Sequence, residues 1–279
     1  MSVNASTNFI TSFDALVKKQ YQEGMKLRGT VRVKTGVVGS THRFPKINKG
    51  VATPRIPQSD VTPMNIGHGY ADATLTDWNA AEYSDIYDLA ALSFDERQEL
   101  VQTATMAIGR RMDQMILDAM AASAYATQVD VNVGGSNTGL NLAKIARAKR
   151  LLDDNGVPQM DRYIACSARA IEQGLQEAQI GSADYNLLRP LMTGEITQYA
   201  GFKFIMIEAR DEGGVVLSTN TRNNFAFHKD AVGLAVGIDM RTEVNYVPEK
   251  TSTLINSVFK GGAVTIDTNG VIDLLTYES

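Results

Sequence analysis

The sequence predicts an α+β fold, and three observations carry that prediction. Residues 93–123, SFDERQELVQTATMAIGRRMDQMILDAMAAS, repeat apolar side chains at helical spacing along the whole stretch. Strand-like runs recur downstream, among them GFKFIMIEA at 201–209 and GAVTIDTNGVIDLLTY at 262–277. The strands and helices do not alternate as regular β-α-β units, which argues against a parallel doubly wound sheet or a barrel.

The totals fit a folded chain. Of 279 residues, 44% are apolar and 21% charged, a globular composition rather than a disordered one. That length allows one large domain or two moderate ones. A net charge of −4 excludes a surface that attracts nucleic acid everywhere. The single cysteine, Cys166, excludes an intrachain disulfide and a cysteine-based zinc site. The opening MSVNASTNF has neither the basic nor the apolar region of a signal peptide. The longest apolar stretches, such as VGLAVGI at 232–238, are too short to span a bilayer.

In chain order, residues 1–27 read as an arm. FDALVKKQYQEGM makes a short helix with Phe13, Leu16 and Val17 on one face, ended by Gly24. Residues 30–34 alternate Thr-Val-Arg-Val-Lys, which reads as a strand. From Gly36 to Thr76 glycine and proline are dense: Gly36, Gly39, Pro45, Gly50, Pro54, Pro57, Pro63, Gly67 and Gly69. A structureless segment of this length is uncommon inside a compact domain, so it is either disordered or held by something outside it.

Charge sets this segment apart. From Gly24 to Ser59 there is no acidic residue and there are eight Lys or Arg. Between Asp60 and Glu99 the balance reverses, with nine Asp or Glu against Arg97 alone. A basic extension is thus followed at once by an acidic stretch.

In the 93–123 helix, Ser93 and Glu96 form a capping box. Its length of about 40 Å makes it a spine through the domain, with Gly109 as a close-packing point. VDVNVGGSNTG at 129–139 reads as a short strand and a turn, with Thr138 as the cap of the next helix. That helix spans 141–158, with Ile145, Ala148 and Leu152 inward and Asn155-Gly156 at its end. RYIACS at 162–167 reads as a buried strand leading into a helix near 167–178. NFAFHKDAVGLAVGID at 224–239 suggests strand, turn and strand. The last strands form a hairpin with Asn269-Gly270 as a two-residue turn.

Little of this points to catalysis. His42, His68 and His228 stand alone, without metal-ligand spacing. GGSNTG at 134–139 lacks the Lys-Ser/Thr ending of a phosphate loop, and no G-x-S-x-G elbow occurs. DTNG at 267–270 lacks the remaining ligands of a calcium loop. Cys166, in an apolar run, reads as a packed thiol. No catalytic, cofactor or metal residue is assigned. A long basic extension beside a long acidic stretch suits a protein that holds copies of itself.

The order of parts resembles the major capsid proteins of tailed bacteriophages, of the Hong Kong 97 phage type. The stretches that carry the resemblance are MTGEITQYAGFKFIMIEA (192–209), NFAFHKDAVGLAVGID (224–239) and FKGGAVTIDTNGVIDL (259–274). The resemblance implies an N-terminal arm at 1–27 and an extended loop at 28–78. A peripheral domain follows at 79–136, with its spine helix at 93–123. It further implies an axial domain at 137–219 and a return to the peripheral sheet at 220–279. It implies hexamers and pentamers building an icosahedral shell around double-stranded DNA, held by non-specific contact. The other partners it implies are a portal, a decoration protein and, because the chain starts almost at the arm, a separate scaffolding protein. No membrane partner is expected. The particle would assemble in the bacterial cytoplasm. Lys34, Lys46 and Lys49 lie where some relatives carry a cross-linking lysine.

The charge pattern supplies the contact expectation. Arg32, Lys34, Arg43, Lys46, Lys49 and Arg55 would lie near acidic residues of a neighbouring subunit, with Asp72, Asp77, Glu82, Asp85 and Asp88 as candidates. A nanocompartment shell around cargo protein keeps the same fold. A soluble enzyme with a scattered active site is the reading from another class.

Overall fold

In this computed structural model, the described residues are 22, 24–85, 96–124, 128–176, 198–209 and 212–278. Ahead of the long helix run β1 (Arg32–Lys34), β2 (Thr41–Ile47), β3 (His68–Thr74) and β4 (Thr76–Asp85). The helix itself is α1 (Glu96–Ala124). Then come β5 (Gln128–Val129), α2 (Leu142–Asp154), β6 (Arg162–Ser167) and α3 (Ala168–Gln176). The chain continues through β7 (Gln198–Tyr199), β8 (Phe202–Ile207), β9 (Leu217–Ser218) and β10 (Thr221–His228). It ends with β11 (Val232–Val247), β12 (Ser252–Thr265) and β13 (Val271–Tyr277).

The 29 residues of α1 span about 43 Å. Ile108, Met112, Ile116 and Met120 recur every fourth position and are buried, so the helix presents one apolar stripe. That stripe packs on a four-stranded sheet ordered β1-β11-β12-β4, whose Leu234, Val236 and Phe259 share its core. Gly109 is a close-packing point: a Cβ there would stand 2.9 Å from the Met25 amide nitrogen. The predicted cap Ser93 and the short arm helix lie outside the described residues.

The chain entering at residues 24–27 is tied to α1 by one buried carboxylate. Asp113 is fully buried and accepts from the backbone N–H of Lys26 at 2.9 Å and of Leu27 at 3.0 Å. Asp113→Ala leaves those donors unanswered and is expected to cost about 2–4 kcal/mol, read as a lower urea midpoint with an unchanged slope.

A second sheet runs β5-β13-β10-β6-β8-β7, with β9 on β10. Helices α2 and α3 bury Ile145, Ala148, Leu152 and Ala170 against its Ile164, Phe202, Ala226 and Ile272. The α2 cap is Asn141, whose side chain accepts from the Lys144 N–H, and not Thr138. The Thr138 hydroxyl instead donates to Val131 O and Val133 O, closing the 131–138 loop. The strand expected in 129–139 stops at Val129, because Asp130 and Asn132 turn their side chains onto the Asn132 and Asn137 amides.

Lys144 is buried, and its ammonium donates to Thr138 O. Burial lowers it from its ordinary 10.5 to about 8. Between about pH 8 and 10.5 the unfolded chain therefore binds more protons than the native one, and stability rises with pH. Lys144→Met is expected to flatten that rise in denaturation series taken across the window.

The segment 220–279, expected as one return to the peripheral sheet, divides between the two sheets. Strands β10 and β13 pair with each other in the second sheet, whereas β11 and β12 build the first. The expected hairpin at Asn269-Gly270 is absent. Residues Thr268–Gly270 form a 3-10 turn that carries the chain between sheets. Two bonds cause this: the Ile266 and Asp267 amides both donate to Ala231 O, at 2.8 and 3.2 Å. They pin this crossing to the β10–β11 crossing. Neither Asn269 nor Gly270 takes the positive φ that a tight hairpin turn requires.

Candidate inter-subunit surface

The glycine- and proline-rich stretch is an antiparallel hairpin. β2 and β3 pair in unbroken register from Thr41 opposite Thr74 to Ile47 opposite His68. Pro45 is tolerated because β2 has a strand on one side only. Arg43 and Asp72 sit directly opposite and form a two-pronged ion pair at 2.9 and 3.0 Å. The Arg43 guanidinium also lies 3.7 Å from the Tyr70 ring centre. The hydrogen bond from Arg43 holds the Asp72 carboxyl below its usual range.

The base of this hairpin sits on its own body. Phe44, Ala73 and Leu75 are buried with Ala235 of β11. The Phe44 ring approaches so closely that a Cβ on Gly233 would stand 2.9 Å from it. The Leu75 amide donates to Ser40 O at 2.8 Å. The segment 28–78 therefore has an anchored base, whereas the sequence reading gave it no core contact of its own.

The tip is different. Residues 48–67 are exposed throughout except the half-buried Ile66. Val51, Ile56, Val61 and Met64 face water, Val61 at 93% exposure. With Pro54, Pro57 and Pro63 in the tip, its described backbone bonds are Asn48 N–H to Gly67 O and Ser59 N–H to Ile56 O.

The expected contact residues fall into two groups. Arg43, Lys46, Asp72 and Asp77 are answered within the chain, where the sequence reading looked to a neighbour. Lys46 Nζ is 2.8 Å from Asp267, and Asp77 is 3.1 Å from Lys260 Nζ. Lys49 Nζ donates to Asn155 O at 3.1 Å. Burial works to raise the Asp267 carboxyl, but the Lys46 and Asn269 hydrogen bonds hold it below its usual range. In the other group, Arg32, Lys34 and Arg55 are exposed and make no ion pair among the described residues. Glu82 is exposed on β4, Asp85 ends that strand half-buried, and Asp88 lies outside the described residues. Sequence order gave no cue to Asp267, 221 residues from Lys46, or to Asp239, which pairs with Arg28 at 2.7 Å.

Beyond the hairpin, the first sheet has a second face, turned away from α1. Thr242 and Ser257 are cross-strand partners on the α1 side, where Thr105 meets Thr242 at 3.3 Å. Neighbouring rows point the other way: Tyr83, Leu254 and Asn245; Ala81, Asn256 and Glu243; Asn79, Val258 and Arg241. This face mixes apolar, amide and charged side chains. Among the described residues no helix is long and apolar enough to cross a membrane. No three His, Cys, Asp or Glu among them gather to hold a metal.

A family model described as phage capsid protein matches residues 5–278. The chain belongs to the phage capsid protein family. Its fold is that of solved tailed-phage capsids, of the Hong Kong 97 type. It superposes on the capsid of cyanophage P-SCSP1u with a TM-score of 0.78 at 17% identity, covering 98% of this chain and 94% of that one. The head protein of Helicobacter pylori bacteriophage KHP40 gives 0.78 at 11% identity, with 99% and 98% covered. Mycobacterium phage Che8 gives 0.73 at 17% identity, with 97% and 98% covered. Among curated proteins the chain has no match. It is a structural major capsid protein of a bacteriophage, and the family favours that role over a cargo compartment.

Proposed function

We propose that this capsid protein closes into hexamers and pentamers of an icosahedral head around double-stranded DNA, and that it catalyses no reaction. The first sheet with α1 is the peripheral domain, and the second sheet with α2 and α3 is the axial domain. The β2–β3 hairpin is the extended loop, laid across the sheet face turned away from α1 of an adjacent subunit. Arg32, Lys34 and Arg55 on one side, with Glu82, Asp85 and Asp88 on the other, are the charges we assign to that contact. Exposed pairs contribute about 0.2–1 kcal/mol each, so they set register while apolar burial supplies affinity. A portal, a scaffolding protein and a decoration protein complete the particle. It assembles in the host cytoplasm, and the shell touches DNA without reading its sequence.

The observation that carries this reading is the tip itself. Four apolar side chains stand in water on a segment with almost no internal bonds. Such a segment offsets its ordering entropy only when another surface covers it. Negative-stain electron microscopy of the expressed chain is expected to show closed shells or hexameric rings. Small featureless particles at every concentration tried would overturn the proposal. Native mass spectrometry of the particles separates a DNA-filled head from a compartment around cargo protein.

A further inference from the structure

We propose that Lys46 and Lys49 form a releasable latch that sets the angle of the hairpin against its own subunit. Three features of the hairpin make it a lever. It is stiffened internally by the Arg43–Asp72 pair and by Arg43 stacked on Tyr70. It pivots on a small apolar seat, where Phe44 meets Gly233 and Ala235. Beyond that seat its described polar contacts to the body are made by two side chains of the same strand and its extension.

Those two side chains reach adjoining places. Lys46 Nζ meets Asp267 at 2.8 Å, in the turn that carries the chain between sheets. Lys49 Nζ meets Asn155 O at 3.1 Å, at the C-terminal cap of α2. That carbonyl lies at the negative end of the helix dipole, which favours a cation. The α2 cap and the turn are themselves joined, because Asn155 Nδ2 donates to Asn269 O at 3.1 Å. Gly156, at φ +72° behind the cap, takes the left-handed conformation that ends α2 beside Lys49. One body-side platform therefore receives both lysines.

The strength of the latch suits release. Both lysines keep part of their surface in water, so each bond is weak and screened by salt. The apolar seat stays when the lysines let go. A free subunit thus holds its hairpin at one angle, and a neighbour that covers the tip can draw it to another. Without the latch the lever samples many angles before it meets a partner, and that ordering cost falls on assembly. The purpose assigned to the latch rests on the neighbour-clasping reading above. The latch itself is a property of one chain and is tested on one chain.

The test is a distance measurement between spin labels on His68→Cys, at the far end of the paired strands, and Glu249→Cys on the body, in free subunits. Cys166 is buried, so it stays unlabelled. The otherwise unchanged chain is expected to give one narrow distance peak. Lys46→Gln with Lys49→Gln is expected to lose that peak for a broad distribution, with no change in melting temperature. Lys46→Arg with Lys49→Arg, which keeps charge and donors, is expected to retain it. A broad distribution in the parent chain, or a narrow one that survives the glutamine pair, overturns the latch. Either result leaves the microscopy of assembled shells to decide the function independently.

Discussion

Replacing residues 49–66 by Asn-Gly leaves the subunit folded and abolishes shell formation. Asn48 and Gly67 already face each other across the hairpin, with the Asn48 amide donating to Gly67 O at 3.0 Å. A two-residue turn closes that gap without moving β2 or β3. The buried base (Phe44, Ala73 and Leu75) is untouched, so the melting temperature should hold within about 3 °C. Assembly loses Val51, Ile56, Val61 and Met64. Full burial of one such side chain stabilises by about 1.5–3 kcal/mol, and each 1.4 kcal/mol is about tenfold in association. Even partial burial of four of them is worth about a hundredfold per contact, multiplied around every ring. Sedimentation should then show subunits where the parent chain gives shells.

Gly262→Ala has the opposite profile: it damages the subunit itself. Gly262 lies in β12 where the chain passes from β3 to β4, and a Cβ there would fall 2.0 Å from Thr74 O and 2.7 Å from Thr74 C. The obstructing atoms are backbone, so no side-chain rotation relieves the clash. The Leu75 amide next to it is bonded to Ser40 O, and Leu75 is part of the apolar seat. Relief therefore requires lifting the base of the hairpin off β11 and β12. Overpacking of this kind costs about 3 kcal/mol, a fall of roughly 5 °C in melting temperature for a chain of this size. Calorimetry of the purified variant checks it. A melting temperature equal to that of the parent would mean that the hairpin base is not seated on β12.

How much of this was legible depends on the range over which each signal acts. The long helix was plain, because its apolar repeat runs through most of the 29 residues of α1. The strand at 201–209 appears as Phe202–Ile207, and the helix at 141–158 as Leu142–Asp154 with its Asn155-Gly156 end in place. Ile145, Ala148 and Leu152 are fully buried. The strongest local turn signal, Asn269-Gly270, misled, because two bonds from a distant carbonyl at Ala231 decide the path of the chain there. Thr138 was the wrong cap for a similar reason, as its hydroxyl is claimed by Val131 and Val133.

The hairpin shows the limit most clearly. Its composition argues against strands, and Pro45 and Gly69 lie inside the paired region. Its status as an edge pair makes both tolerable, and a one-dimensional reading has no access to that status. Charge segregation was visible, and its basic stretch contains the first strand of the β2–β3 hairpin. The partners were not, since Asp267 and Lys260 come from the far end of the chain. The buried cluster of Ser167, Arg222, Asn224 and Glu278, which fastens β13 into the second sheet, gave no periodic signal at all.

Trypsin is the most direct probe of whether other copies cover the tip, because Lys49 and Arg55 both stand exposed there. Free subunits should be cut at those two sites within the first minutes, while intact shells under the same conditions keep both bonds whole. Equal cleavage rates in shells and in free subunits would contradict the account.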